Sequence, residues 1–193
     1  EPHQPEWKEP LTRYFAIIRK CAPKLRIMVT REPTGSFGPN LDIACIMMNH
    51  LRDDTHQTAR ALKQELWCYS CGHLNNPGLT LRESAVDIRT WFWLQEKWNI
   101  RRVLLWHASV YGHTFVKPGA DGRGDGQVFY FRRRGDEPDE VIPSIRAEML
   151  RDGVEDRDYL FRLKQLVTQT AGHVGKGLTA EVHSRAKTLT GVP

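Results

Sequence analysis

The stretch that decides the fold is residues 43–48, Ile-Ala-Cys-Ile-Met-Met, which is an unbroken run of apolar side chains. A strand with one face in water alternates apolar and polar residues, whereas a strand of a parallel sheet is buried on both faces and is apolar throughout. The run therefore predicts a buried strand in a parallel sheet.

Three other short segments have strand character, and helical patterns alternate with them along the chain. The predicted strands are residues 25–30, 66–71 and 103–106, and the predicted helices are residues 8–21, 55–64 and 80–98. Strands that alternate with helices indicate repeated βα units and an α/β fold. This pattern leaves open a doubly wound sheet and half of an eight-stranded barrel.

The glycine-rich stretch of the chain disfavours a dinucleotide-binding fold. A dinucleotide fingerprint lies between the first strand and its helix. Here Gly122, Gly124 and Gly126 follow the last predicted strand of the sheet and precede a strand-like segment at 127–132. Beyond this segment, residues 144–169 have the pattern of a final helix. The Gly- and Thr-rich tail at 171–193 has weak periodicity, so the sequence does not predict whether the tail is ordered.

Composition sets limits on the class of protein. The 193 residues are 40% hydrophobic, which is enough for one sizeable core, and we expect one globular unit. The net charge of +5 is spread over short clusters, so nucleic-acid binding is not indicated. No apolar run approaches the roughly 20 residues that span a bilayer, so we predict no membrane segment. The sequence leaves the cellular compartment open.

The four cysteines do not predict a metal site. Cys68 and Cys71 lie near His73, but residues three apart on a strand point to opposite faces, and no second pair of cysteines exists at zinc-ribbon spacing. We therefore expect neither a metal nor a cofactor.

The most specific stretch of the sequence runs from Gly124 to Leu163. It contains Gly-Asp-Gly at 124–126, Pro-Ser-Ile-Arg at 143–146 and Arg-Asp-Gly-Val-Glu-Asp-Arg-Asp-Tyr-Leu at 151–160. This ordered signature resembles the C-terminal part of the catalytic domain of glycoside hydrolase family 123 and its uncharacterised relatives. The resemblance implies that residues 1–170 form the C-terminal half of a (β/α)8 TIM-type barrel with parallel strands alternating with helices, followed by a peripheral tail at 171–193.

Earlier segments extend the same resemblance. Trp67-Cys-Tyr69 before Asn75-Asn-Pro77 is similar to the family's Trp-x-Tyr strand and Asn/Pro loop, and 104–106 is similar to its aromatic last strand. Family members carry an adjacent Asp-Glu pair, commonly followed by Pro. Glu1-Pro2 stands where the second half of that motif belongs, and the Asp would lie just outside the chain.

The resemblance also implies an activity. Family 123 hydrolyses β-linked N-acetylhexosamine with help from the substrate, and N-acetylgalactosamine is the favoured sugar here. The substrate's acetamido oxygen attacks the anomeric carbon, the Asp orients that amide, and the Glu, here Glu1, is the catalytic acid/base. The partners implied are a carbohydrate substrate and the missing N-terminal half of the barrel, without which we expect the fragment to be inactive. The alternative is a non-catalytic carbohydrate-binding or scaffold barrel.

In such a barrel the carboxyl ends of the strands meet at one mouth. The reactive groups should therefore lie near Glu1, Thr30–Glu32, Asn49–His50, 69–76 and 106–111. Sugar-binding candidates are Trp67, Tyr69, Trp106 and Asp125. For the tryptophans, core packing is the competing interpretation, and a turn Asp such as Asp125 often only satisfies amides of its own loop.

Polar residues of the last predicted helix have a structural interpretation. We expect Arg146, Arg151, Asp152, Glu155 and Asp156 to form salt bridges between that helix and the barrel, and Gly153 to permit close packing. The run Arg132–Arg134 is typical of a solvated hairpin edge.

Overall fold

The structure is a computed structural model that describes residues 5–71, 78–81, 83–109, 124, 126–134, 137–170 and 176–190. The chain divides into two compact units. Unit 1 comprises Glu1–Ser70 and Arg102–Trp106, and unit 2 comprises Cys71–Arg101 and His107–Pro193.

Unit 1 is built on a four-stranded sheet in which every neighbouring pair is parallel. The strands follow chain order, β1-β2-β3-β4. Their bounds are β1 Met28–Val29, β2 Ile43–Met47, β3 Glu65–Tyr69 and β4 Val103–Leu104, and the helices of this unit are α1 Lys8–Cys21 and α2 Asp53–Ala61. The first four residues of β2 are buried, which confirms the buried strand predicted from its apolar run.

An apolar cluster in unit 1 joins α1 to the first strand. Phe15 of α1 meets the ring of Phe37 edge-on, with 5.3 Å between the ring centroids. The buried members of the cluster are Phe15, Ile27, Val29, Phe37 and Leu41, with Leu11 and Ile18 of α1 packed against them. The helix predicted at residues 8–21 therefore packs Leu11, Phe15 and Ile18 against the core, while Tyr14 is 58% exposed.

Unit 2 contains three helices and an antiparallel hairpin among its described residues. The helices are α3 Ala85–Lys97, α4 Ile145–Thr170 and α5 Lys176–Thr190, and the hairpin strands are β5 Phe129–Arg134 and β6 Glu137–Pro143. Helices α3 and α4 approach closely at Gly153, where an added Cβ would lie 2.2 Å from the Phe92 ring. The predicted role of Gly153 in close packing is confirmed.

The salt bridges predicted for the last helix are formed only in part. Asp156 of α4 does bridge to another element, because it accepts two hydrogen bonds of 2.6 Å from Arg89 of α3. Arg151 instead pairs with acidic residues of its own helix, Glu148, Asp152 and Glu155. Arg146 is 3% exposed, and its guanidinium donates to the carbonyls of Leu79 and Gly124 and to the Tyr130 hydroxyl.

Several element boundaries differ from the prediction. Helix α3 begins after Ser84, whose hydroxyl accepts from the Val86 amide, and not after Thr80. Before the helix, the Glu83 carboxylate accepts a hydrogen bond from the Thr80 amide at 3.0 Å. Strand β6 and helix α5 were not predicted, while Arg132 lies on the hairpin as expected, exposed and 3.6 Å from Glu140.

The fold is therefore a mixed α/β structure with a parallel four-stranded sheet. No helix in the part of the chain that the structure describes has the length and apolar character that crossing a bilayer requires.

Candidate functional site

A polar cavity of about 250 Å³ lies in unit 1 at the carboxyl ends of β1, β2 and β3. Its walls combine one acid, two basic side chains, a threonine and a phenol with two apolar residues. The lining residues are Thr30, Arg31, Glu32, Ile46, Met47, His50 and Tyr69.

Strand direction explains why these residues meet. Because the strands are parallel, their carboxyl ends lie at the same edge of the sheet. Thr30–Glu32 directly follow β1, His50 ends the short 3-10 turn Met48–His50 after β2, and Tyr69 is the last residue of β3. Thus the structure brings together residues from three of the segments that the sequence placed at the strand ends.

The side chains of Glu32 and His50 lie in contact at this cavity. The Nδ1 of His50 lies 3.4 Å from Oε1 of Glu32, and the two side chains are 46% and 57% exposed, respectively. Sequence reasoning placed both residues at the strand ends but assigned them no role. Neither residue belongs to a recognisable motif. Only the parallel pairing of β1 with β2 could have indicated that their side chains meet.

Arg31 connects the cavity to the core of unit 1. Its guanidinium carbon lies 5.7 Å from the centroid of the Phe37 ring, which is fully buried. A cation near an aromatic face is attracted by the ring quadrupole. This contact helps to hold a positive charge at the cavity wall.

The three aromatic candidates have different positions. Tyr69 lines the cavity and is 6% exposed. Trp67 lies two residues earlier on the same strand, and the Arg102 guanidinium stands 5.3 Å from its ring centroid. Trp106 follows β4 and is 48% exposed, and neither tryptophan is among the lining residues of this cavity.

An ionic cluster lies at the opposite, amino-terminal end of the sheet. Glu65, the first residue of β3, accepts a 2.6 Å hydrogen bond from Arg26 and lies 3.9 Å from Arg102. Partial burial pushes the pKa of Glu65 upward, but the hydrogen bond from Arg26 and the two guanidinium charges outweigh burial and hold the pKa below its usual value. In α/β folds the ligand sites lie at the carboxyl ends of the strands, so we interpret this cluster at the other end as structural support.

Two of the candidate residues, Glu1 and Asp125, lie outside the described residues, so their predicted roles remain predictions. Cys68 is fully buried and Cys71 partly buried, and neither forms a disulfide bond with another described cysteine. Among the described residues, no group of three His, Cys, Asp or Glu side chains has the arrangement of a metal site.

Unit 2 contains another histidine, His107, which lies three residues after the end of β4. Gly126, which has a φ of +68°, packs against the His107 ring so closely that a Cβ would lie 2.7 Å from Nε2. Gly124 also has a positive φ, and its carbonyl accepts from the buried Arg146. The glycines of the 124–126 motif are therefore required by backbone conformation and by a ring contact.

Fold and cavity together define a class: an α/β protein with a parallel sheet and a polar cavity at the carboxyl ends of its strands. No protein-family model and no curated protein matches the chain. Among solved structures, the chain resembles a family 123 glycoside hydrolase from Clostridium perfringens, studied for glycolipid glycan hydrolysis, with a TM-score of 0.62 and 11% sequence identity. The match covers 99% of this chain but 45% of that one, so the chain spans less than half of its length. At this identity the likeness shows a shared fold.

Proposed function

We propose that this chain is a glycoside hydrolase-like domain that acts on β-linked N-acetylhexosamine, with N-acetylgalactosamine as the favoured sugar. The observation that carries the proposal is the structural likeness to a family 123 hydrolase over nearly the whole chain. A polar cavity at the carboxyl ends of parallel strands, where α/β enzymes bind their substrates, supports it.

We further propose that the sheet of unit 1 is part of a (β/α)8 barrel. In support, the four strands are parallel and follow chain order, and the similar hydrolase is more than twice as long as the matched region. The remaining strands would come from polypeptide outside residues 1–193. They would pair with β1 and β4, which are the edge strands of this sheet.

The proposed reaction is substrate-assisted hydrolysis. The acetamido oxygen of the sugar attacks the anomeric carbon, and Glu1 gives its proton to the leaving oxygen as the glycosidic bond breaks. The resulting cyclic intermediate is opened by water, which gives a proton back to Glu1. Tyr69 would contact the sugar in the cavity, while Trp67, Trp106 and Asp125 are further sugar-binding candidates.

Turnover of 4-nitrophenyl β-N-acetylgalactosaminide by the full chain, with and without its complementary half, tests the proposal. We expect Glu1→Gln to lower kcat by about 10²–10⁴-fold, as for loss of a general acid/base. The matched control is Glu9→Gln, which removes an exposed carboxylate paired with Arg13 on α1.

The two outcomes separate the candidate functions. Unchanged turnover in Glu1→Gln would remove Glu1 from the mechanism. Binding of an acetamido-thiazoline mimic without any turnover would assign the alternative, a non-catalytic carbohydrate-binding barrel.

A further inference from the structure

The proposed reaction does not use the contact between Glu32 and His50. At 3.4 Å, the distance between His50 Nδ1 and Glu32 Oε1 is longer than the 2.7–3.2 Å of a normal N–H···O hydrogen bond. Both side chains are about half exposed and line the cavity. Each therefore keeps hydrogen-bonding capacity for a ligand.

The backbone that carries His50 is well fixed. The amide of Leu51 donates to the Met48 carbonyl at 3.2 Å, which closes the turn, and the Thr55 hydroxyl of α2 donates to the His50 carbonyl at 3.3 Å. A binding group on a fixed backbone loses little entropy when a ligand arrives. The imidazole is thus held at the cavity wall before binding.

The chemistry of the pair defines the ligand group that it fits. A carboxylate only accepts hydrogen bonds, whereas an imidazole donates or accepts according to its protonation. Of two hydroxyl groups on neighbouring carbons of a ligand ring, one can donate to the carboxylate, and the other can donate to the imidazole or accept from it. Ile46 and Met47 also line the cavity, and their apolar side chains suit the C–H groups of the ligand ring that carries those hydroxyls.

We propose that Glu32 and His50 bind adjacent hydroxyl groups of the sugar ring and determine which sugars the cavity accepts. This inference rests on the proposed function, because it assumes that the ligand of the cavity is a sugar. It names the two side chains that would recognise the hydroxyl groups of that sugar, as distinct from its acetamide. It assigns both residues to substrate binding and not to the bond-breaking step.

Calorimetric titration of the full chain with N-acetylgalactosamine, N-acetylglucosamine and galactose tests the inference. We expect Glu32→Gln and His50→Gln each to raise the Kd of the sugars that bind by about tenfold, the usual effect of losing a hydrogen bond to a charged group. Glu9→Gln, which removes a more exposed ion pair on α1, should leave Kd unchanged. Thermal unfolding of each variant checks that it is folded.

The sugar panel separates this inference from the proposed function. If Kd stays within twofold of the wild-type value in both cavity variants, the inference is overturned, while binding of N-acetylhexosamine would still support the function. If galactose binds and depends on the pair but neither acetamido sugar binds, the inference stands and the proposed substrate is wrong. If no sugar of the panel binds the wild-type chain, both are overturned.

Discussion

At the residue scale, the Asp156 carboxylate of α4 is held by two side chains of α3. It accepts hydrogen bonds from Nε and Nη2 of Arg89 at 2.6 Å each and from the Trp93 indole at 2.9 Å, and its side chain is 13% exposed. The hydrogen bond from Arg89 is the main cause that holds the pKa of this carboxyl below its ordinary value of 3.8, and Trp93 adds to the effect against partial desolvation. The bond ties α4 to α3.

Because the pKa of Asp156 is lowered in the folded state, the free energy of unfolding depends on pH. A carboxyl with a depressed folded-state pKa stabilises the fold fully above its unfolded-state pKa, and that stabilisation is lost as the pH falls through the folded-state pKa. We expect Asp156→Asn to lower the free energy of unfolding at pH 7, and the difference from wild type to shrink below about pH 4. Chemical denaturation at several pH values measures it. Asp158→Asn, an exposed position on the same helix, is the control; an equal, pH-independent loss in both variants would contradict the assignment.

Gly153 gives a second residue-scale prediction. An alanine in the middle of a helix normally stabilises it by up to about 1 kcal/mol. At Gly153, however, the new Cβ would lie 2.2 Å from Phe92 Cδ2 and 3.1 Å from the Arg89 carbonyl. We expect Gly153→Ala to destabilise the chain by about 1–3 kcal/mol, the usual cost of overpacking, as measured by urea denaturation. Gly177→Ala on α5, where nothing lies within 4 Å, should be neutral or stabilising.

At the element scale, helices α2 and α3 end in the same way. After α2, the amides of Lys63 and Gln64 donate back to the carbonyls of Arg60 and Ala59; after α3, the corresponding bonds join Asn99 to Glu96 and Ile100 to Gln95. This is the Schellman arrangement, which requires a left-handed residue at the turn. Lys63 and Asn99 fill that place with φ of 56° and 50°.

Lysine is a poor choice for a left-handed position, because its Cβ crowds the backbone at a cost of roughly 1–2 kcal/mol. We therefore expect Lys63→Gly to raise the free energy of unfolding by about 0.5–1 kcal/mol, and Asn99→Gly to raise it less, since Asn tolerates this conformation. Thermal and urea denaturation measure both. A loss of stability in Lys63→Gly would mean that the lysine side chain contributes a contact that offsets the strain.

The elements also show how far sequence reasoning could reach. Residues 8–21 and the run at 43–48 carry strong periodic or apolar patterns, and both segments form the expected elements. Strands β1 and β4 lie within the segments 25–30 and 103–106 that were predicted as strands, but each is only two residues long. Strand β6 contains Pro138 and three acidic residues, so local pattern did not predict it. The position of the site could be predicted, because parallel strands place their carboxyl ends at one edge of the sheet. The contact of Glu32 with His50 could not be predicted, because it depends on tertiary proximity.

At the scale of the whole molecule, the sheet of unit 1 is open. β1 and β4 are its edge strands, and unpaired edges favour association with other chains, although two-residue edges limit it. We expect the isolated chain to associate, or to unfold without a single cooperative transition. Sedimentation velocity together with thermal unfolding tests this. A monomer with one cooperative melt would contradict the half-barrel proposal.

The order of the sheet also has a consequence for how the chain folds. Strand β2 pairs with β1, to which it is joined by a short segment, but β4 reaches β3 only after the chain has passed through residues 71–101 of unit 2. Closing a longer loop costs more entropy, so the nearby pair forms first and the distant one last. Pairing of β4 with β3, which places Leu104 beside Tyr69, is therefore the step that completes unit 1. Refolding intermediates should contain β1, β2 and β3, with one edge of β3 still unpaired.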